Sequence, residues 1–166
     1  MKMHACLLLT MLFLPALVFL PQLSSAQKDN AKTAAIKELV NSRHYTFKAQ
    51  TAIPLSGKVR QLTNEYDLRV STDRIVAYLP YFGRSYMAPI DPSRGGIQFT
   101  SKDFDYTATA RKKDGWNISI KTNDVTDAQR MQLTISSNGT ASLQVNSNNR
   151  QSITFNGYIT EPDKKQ

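Results

Sequence analysis

Cysteine is nearly absent. The 166-residue chain has one, Cys6, and only two histidines, His4 and His44. Cys6 and His4 both fall in an N-terminal segment with the layout of a secretory signal. Lys2 gives a positive start, Ala5–Leu20 is an apolar run broken by Thr10 and Pro15, and Ser24-Ser25-Ala26 ends it with small residues. That run is shorter than the roughly 20 residues of a spanning helix. The expectation is therefore a cleaved signal over Met1–Ala26 and a periplasmic protein, with secretion as the alternative location. The mature chain would be 140 residues, enough for one domain. It would carry no cysteine and one histidine, which excludes disulfides, thiol catalysis and cysteine–histidine zinc sites. Cys6 stands at the start of the apolar run instead of after it, so it does not mark a lipid anchor.

Acidic residues are also scarce, with 13 Asp and Glu against 21 Lys and Arg. The formal charge is +8, and losing Lys2 with the signal leaves +7. A basic excess usually raises nucleic acid as a partner. Export argues against it, and the cations are scattered. The one tight run, Arg111-Lys112-Lys113, precedes a turn and reads as a solvated hairpin tip, with attraction to anionic glycans or a membrane surface as the alternative. Internal repeats and low-complexity segments are lacking as well.

What remains is periodicity. Gln27–Ser42 reads as a helix, with Ala35, Ile36, Leu39 and Val40 on one side and Lys28, Lys32, Lys37 and Glu38 on the other. From Arg43 the period changes to two. Tyr45, Phe47 and Ala49 alternate with polar residues, as do Tyr66, Leu68 and Val70, and Trp116, Ile118 and Ile120. Met131, Leu133 and Ile135, then Ala141, Leu143 and Val145, then Ile153 and Phe155 continue the series. Such alternation means antiparallel strands with one buried face. Asp114-Gly115 and Asn138-Gly139 are hairpin-turn dipeptides, and Thr72-Asp73 and Asn148-Asn149 stand at corresponding joins. Candidate strands lie at 43–50, 57–63, 65–71, 74–80, 96–101, 103–112, 115–122, 130–137, 140–147 and 150–159. Ten is one or two more than expected. A meander of this length tends to close and abolish its edges. The fold expected is all-β: an antiparallel meander barrel or curved sheet of about eight to nine strands over 43–160, preceded by one N-terminal helix over 27–42 and followed by a polar tail over 161–166.

One segment breaks the rhythm. Between Leu79 and Ile97, three prolines and three glycines forbid a regular central strand. Long loops in compact domains are more often functional than ornamental. Three stretches, Val76–Arg84, Gly95–Ser101 and Ser147–Ile159, resemble domain-of-unknown-function family 4251, small exported proteins of Bacteroidetes type. The resemblance runs from about Leu39 to Ile159. It implies a lipocalin-like antiparallel barrel and carries no assigned activity and no catalytic residues.

Catalytic readings find little support. His44 stands at the helix-to-strand junction, is expected to face solvent, and has no Gly-x-Ser-x-Gly nucleophile to serve. Asp103 and Asp105 share a strand face away from Phe104 and Tyr106, and Asp124 and Asp127 share a loop in which Asp124 could cap a short helical turn. Neither pair has calcium-loop spacing. Gly95-Gly96 lacks the strand–glycine–helix context of a phosphate loop and reads as relief at the start of a strand. The protein is expected not to be an enzyme and to use no metal or cofactor. The aromatic loop is the remaining candidate. Tyr78, Tyr81, Phe82, Tyr86 and Met87, with Arg84 and Arg94, offer flat apolar faces beside fixed charges. The ligand-binding set expected is Tyr78, Tyr81, Phe82, Arg84, Tyr86 and Arg94. The first reading is a small apolar or amphipathic ligand in a barrel mouth; the alternative is a cell-envelope module that binds a protein or glycan through its surface. The same loop could instead plug the barrel end with its own aromatics.

Overall fold

The structure is a computed structural model that describes residues 24–86, 95–112, 114–126 and 128–162. The expected signal lies outside these residues up to position 23. Helix α1 (Ser24–Ser42) begins at Ser24, and nine strands follow: β1 (Tyr45–Pro54), β2 (Arg60–Val70), β3 (Ile75–Leu79), β4 (Ile97–Ser101), β5 (Phe104–Ala110), β6 (Trp116–Thr122), β7 (Arg130–Ile135), β8 (Thr140–Asn146) and β9 (Ile153–Thr160). All pairings are antiparallel, in the order β4-β3-β2-β1-β9-β8-β7-β6-β5. The first and last strands pair along their length, from Thr46 opposite Thr160 to Pro54 opposite Ile153.

Closure depends on one bent strand. Counting antiparallel steps outward from β1 makes β4 and β5 run in the same direction. Only Lys102 and Asp103 separate them, so residues 97–110 form a single strand whose first half pairs with β3 and second half with β6. The result is a nearly closed barrel with eight strand positions around it. The bend is held from outside by the β6–β7 loop. Asp124 accepts hydrogen bonds from the Lys102 amide at 2.8 Å, the Asp103 amide at 3.2 Å and the Ser101 hydroxyl. The Asn123 backbone amide donates a further hydrogen bond of 2.9 Å to the Asp103 carbonyl.

Inside the wall, alternation fills the core as expected. Tyr45, Phe47, Leu68, Ile75, Leu79, Ile118, Ile120, Met131, Leu133, Ile135, Leu143 and Phe155 are fully buried. The Tyr45 hydroxyl meets that of Tyr106 on β5 at 3.2 Å, with Arg43 stacked on the Tyr106 ring. Burial and the Tyr106 hydroxyl raise the Tyr45 pKa well above the ordinary tyrosine value.

Several details differ from expectation. The segments 57–63 and 65–71 are one strand, β2, irregular opposite Gln50. Ala35 is exposed; α1 packs through Ile36, Val40 and the half-buried Leu39, and Ile36 sits on Gly139 of the β7–β8 turn. Asn148-Asn149 is not a two-residue turn but part of a six-residue loop, 147–152. Asp124 caps no helix, because the β6–β7 loop uses it on the strand bend. Among the described residues, no helix is long and apolar enough to cross a membrane.

A strapped barrel mouth as the candidate functional site

Strand alternation sends the loops 55–59, 80–96, 123–129 and 147–152 to one end of the barrel. The opposite end holds α1 and the turns 71–74, 111–115 and 136–139. The aromatic loop is therefore at a mouth, and the described part of it is tied down. Tyr81 is half-buried, and its hydroxyl donates to the carbonyls of Arg84 at 2.8 Å and Gln151 at 3.0 Å. The Gln151 amide donates to the Arg84 carbonyl at 3.0 Å, and the Tyr86 amide to Asn149 at 2.8 Å. Ser85 and Arg150 form a β-bridge. Arg150 also stacks on the Tyr81 ring, 5.1 Å from its centre, and donates to the Gly96 carbonyl at 3.3 Å. One arginine from the β8–β9 loop thus grips both ends of the aromatic loop.

The six expected binding residues separate into different roles. Tyr81 is part of the strap. Tyr78 lies on the outer wall of β3, 47% exposed, stacked on Tyr66 at 5.6 Å. Phe82 and Tyr86 are exposed at 36% and 68%, and Arg60 covers the Phe82 ring at 4.8 Å. Arg84 uses its backbone in the strap while its residue stays exposed. Arg94, like Met87, lies outside the described residues. On the adjacent β1–β2 loop, Leu55 and Val59 are exposed at 70% and 59%, interleaved with Lys58 and followed by Arg60.

A family model described as a domain of unknown function (DUF4251) matches residues 27–159. The chain belongs to the DUF4251 family. Among solved structures it is similar to a DUF4251 family protein from Bacteroides eggerthii, a crystal structure at 1.95 Å resolution, with a TM-score of 0.60 at 16% identity. The match covers 81% of this chain and 91% of that one, and at this identity it establishes a shared fold. No curated protein matches.

Other side chains of this DUF4251 protein weighed for chemistry are placed as follows. His44 is exposed, with its amide on the Leu39 carbonyl. Asp103 sits in the bend and its carboxylate accepts from the Asn123 amide group at 3.2 Å, while Asp105 is exposed on β5. The Ser101 hydroxyl first, then the Lys102 amide, lowers the Asp124 pKa. Asp127 lies outside the described residues. Among the described residues no three His, Cys, Asp or Glu side chains converge to hold a metal. Gly96 relieves the start of β4, since a side chain there would strike the Leu79 carbonyl. Sequence reading missed Arg60, Arg150 and Gln151, because their partners lie far along the chain and no local pattern announces them.

Proposed function

We propose that this DUF4251 protein is a non-catalytic binding module of the cell envelope that docks a protein partner on the rim of its strapped mouth. The observation that carries this reading is that Leu55, Val59, Phe82 and Tyr86, four of its exposed large apolar side chains, stand on loops at one barrel end, with Tyr78 below them on the outer wall of β3. Lys58, Arg60 and Arg84 stand among them. Aromatic and arginine side chains are what protein interfaces favour, and a rim of this sign suits apolar groups flanked by carboxylates. The filled interior and the strap support the rim over the barrel's inside. A small amphipathic ligand is the second reading, favoured by the Phe82 ring under Arg60; it would lie between rim aromatics. The signal-like start supports export to the periplasm.

The test is photo-crosslinking in the native host, with a benzophenone side chain at Tyr86 and, as control, at Thr72 on the opposite end. The reading predicts a discrete protein adduct from position 86 that disappears when Arg60 and Phe82 are changed to Ala. Equal adducts from both positions, or none from position 86, would contradict it.

A further inference from the structure

The outer wall carries a second feature that the rim does not use. A groove of about 500 Å³ crosses β1, β9, β8 and the end of β7, with Gln50, Thr51, Thr134, Thr140, Ser142 and Asn156 among its lining. No lining residue is charged. Its origin is a bulge: Ala49 pairs with Gly157, and the next ladder pair is Thr51 with Asn156. The extra residue, Gln50, breaks the alternation, so Gln50 and Thr51 come to the outer side in succession between the buried Ala49 and Ala52. Gly157 lets β9 approach the bulged strand closely, because a side chain there would collide with the Lys48 carbonyl. The Ser142 hydroxyl donates to the Asn156 amide oxygen at 2.9 Å, which leaves the amide nitrogen as the end that can donate outward. At the margin, Tyr158 stands directly opposite Thr140 and is 42% exposed.

We infer that this groove is a binding site for a neutral, hydroxyl-rich ligand, a segment of uncharged glycan. Hydroxyls and carboxamides both donate and accept, matching sugar hydroxyls. Without a charge, the groove has nothing to select an ion, and an acyl chain would leave its hydroxyls and carboxamides without hydrogen-bond partners. A half-exposed tyrosine at the edge gives the apolar face of a sugar ring a surface to stack on. The volume lies within the roughly 300–1,000 Å³ of small-molecule sites. This site is independent of the rim.

The experiment is a titration of the isotopically labelled full-length protein with neutral gluco-, manno- and xylo-hexasaccharides, followed by amide chemical shifts. At least one sugar should give saturable shifts centred on Gln50, Thr51, Ser142 and Gly157. Ser142→Trp, which fills the groove, should weaken that binding more than about tenfold, a step that corresponds to one or two lost contacts. Tyr158→Ala, at a half-exposed position, should weaken it while leaving shifts elsewhere in place. The double change Phe82→Ala and Tyr86→Ala should leave it intact. Absence of saturable shifts with every sugar, shifts centred on the rim, or undiminished binding by both Ser142→Trp and Tyr158→Ala would overturn the inference.

Discussion

At Asp124 one carboxylate holds the bend that lets a single strand serve two neighbours. Its oxygens accept from Ser101, Lys102 and Asp103, and these bonds favour the ionised form. The folded pKa is therefore lowered, first by the Ser101 hydroxyl and then by the Lys102 amide. A lowered folded pKa means stabilisation that is whole above the ordinary aspartate value of about 4 and is lost as pH falls through the folded value. Asp124→Ala should melt at a lower temperature than the wild type at pH 7, and the difference should close in stronger acid. Melting curves of both proteins from pH 7 to pH 2 check this; a difference independent of pH would assign the effect to something other than the charge. Nothing local to Asp124 marks it in the sequence, since its partners lie more than twenty residues back. Gly157 is equally silent, because the need for glycine arises only when β9 meets the bulge in β1. Asp114-Gly115, by contrast, is legible because its backbone requirement is local: both residues have positive φ.

Among the elements, strands were readable wherever one face is buried and the other wet, as in β6, β7 and β8. The period-two pattern is itself the record of that environment. It could not say that 97–110 is one strand, because a bend changes the pairing partner without changing composition. Helix α1 was legible in type, but its packed face was not, since alanines give little contrast and Ala35 turned outward. The mouth strap is an element of long-range pairings, and it carries its own prediction. Tyr81→Phe removes a hydroxyl that donates to two carbonyls, a loss of about 1 kcal/mol. The loop should then open more often, seen as faster hydrogen exchange at the Gln151 and Tyr86 amides, with core strand amides unchanged. Unchanged exchange at both amides would mean that the tyrosine does not hold the strap.

Taken whole, the molecule is a barrel with two differently built ends. One is covered by α1 through Ile36 and Val40; the other is strapped by Arg150 and Tyr81 and ringed by apolar and cationic side chains. The aromatic loop was visible in the sequence as a break in rhythm, yet its division into buried strap and exposed rim follows from which residues reach the β8–β9 loop. That division supports the proposal that binding takes place on the rim instead of in the interior, where large side chains meet across the barrel. Native mass spectrometry of the protein purified from its host tests this most directly. A rim-binding module with a filled interior should appear at the mass of the polypeptide, alone or with a protein partner. A stoichiometric small apolar adduct that leaves only when the barrel unfolds would contradict the account.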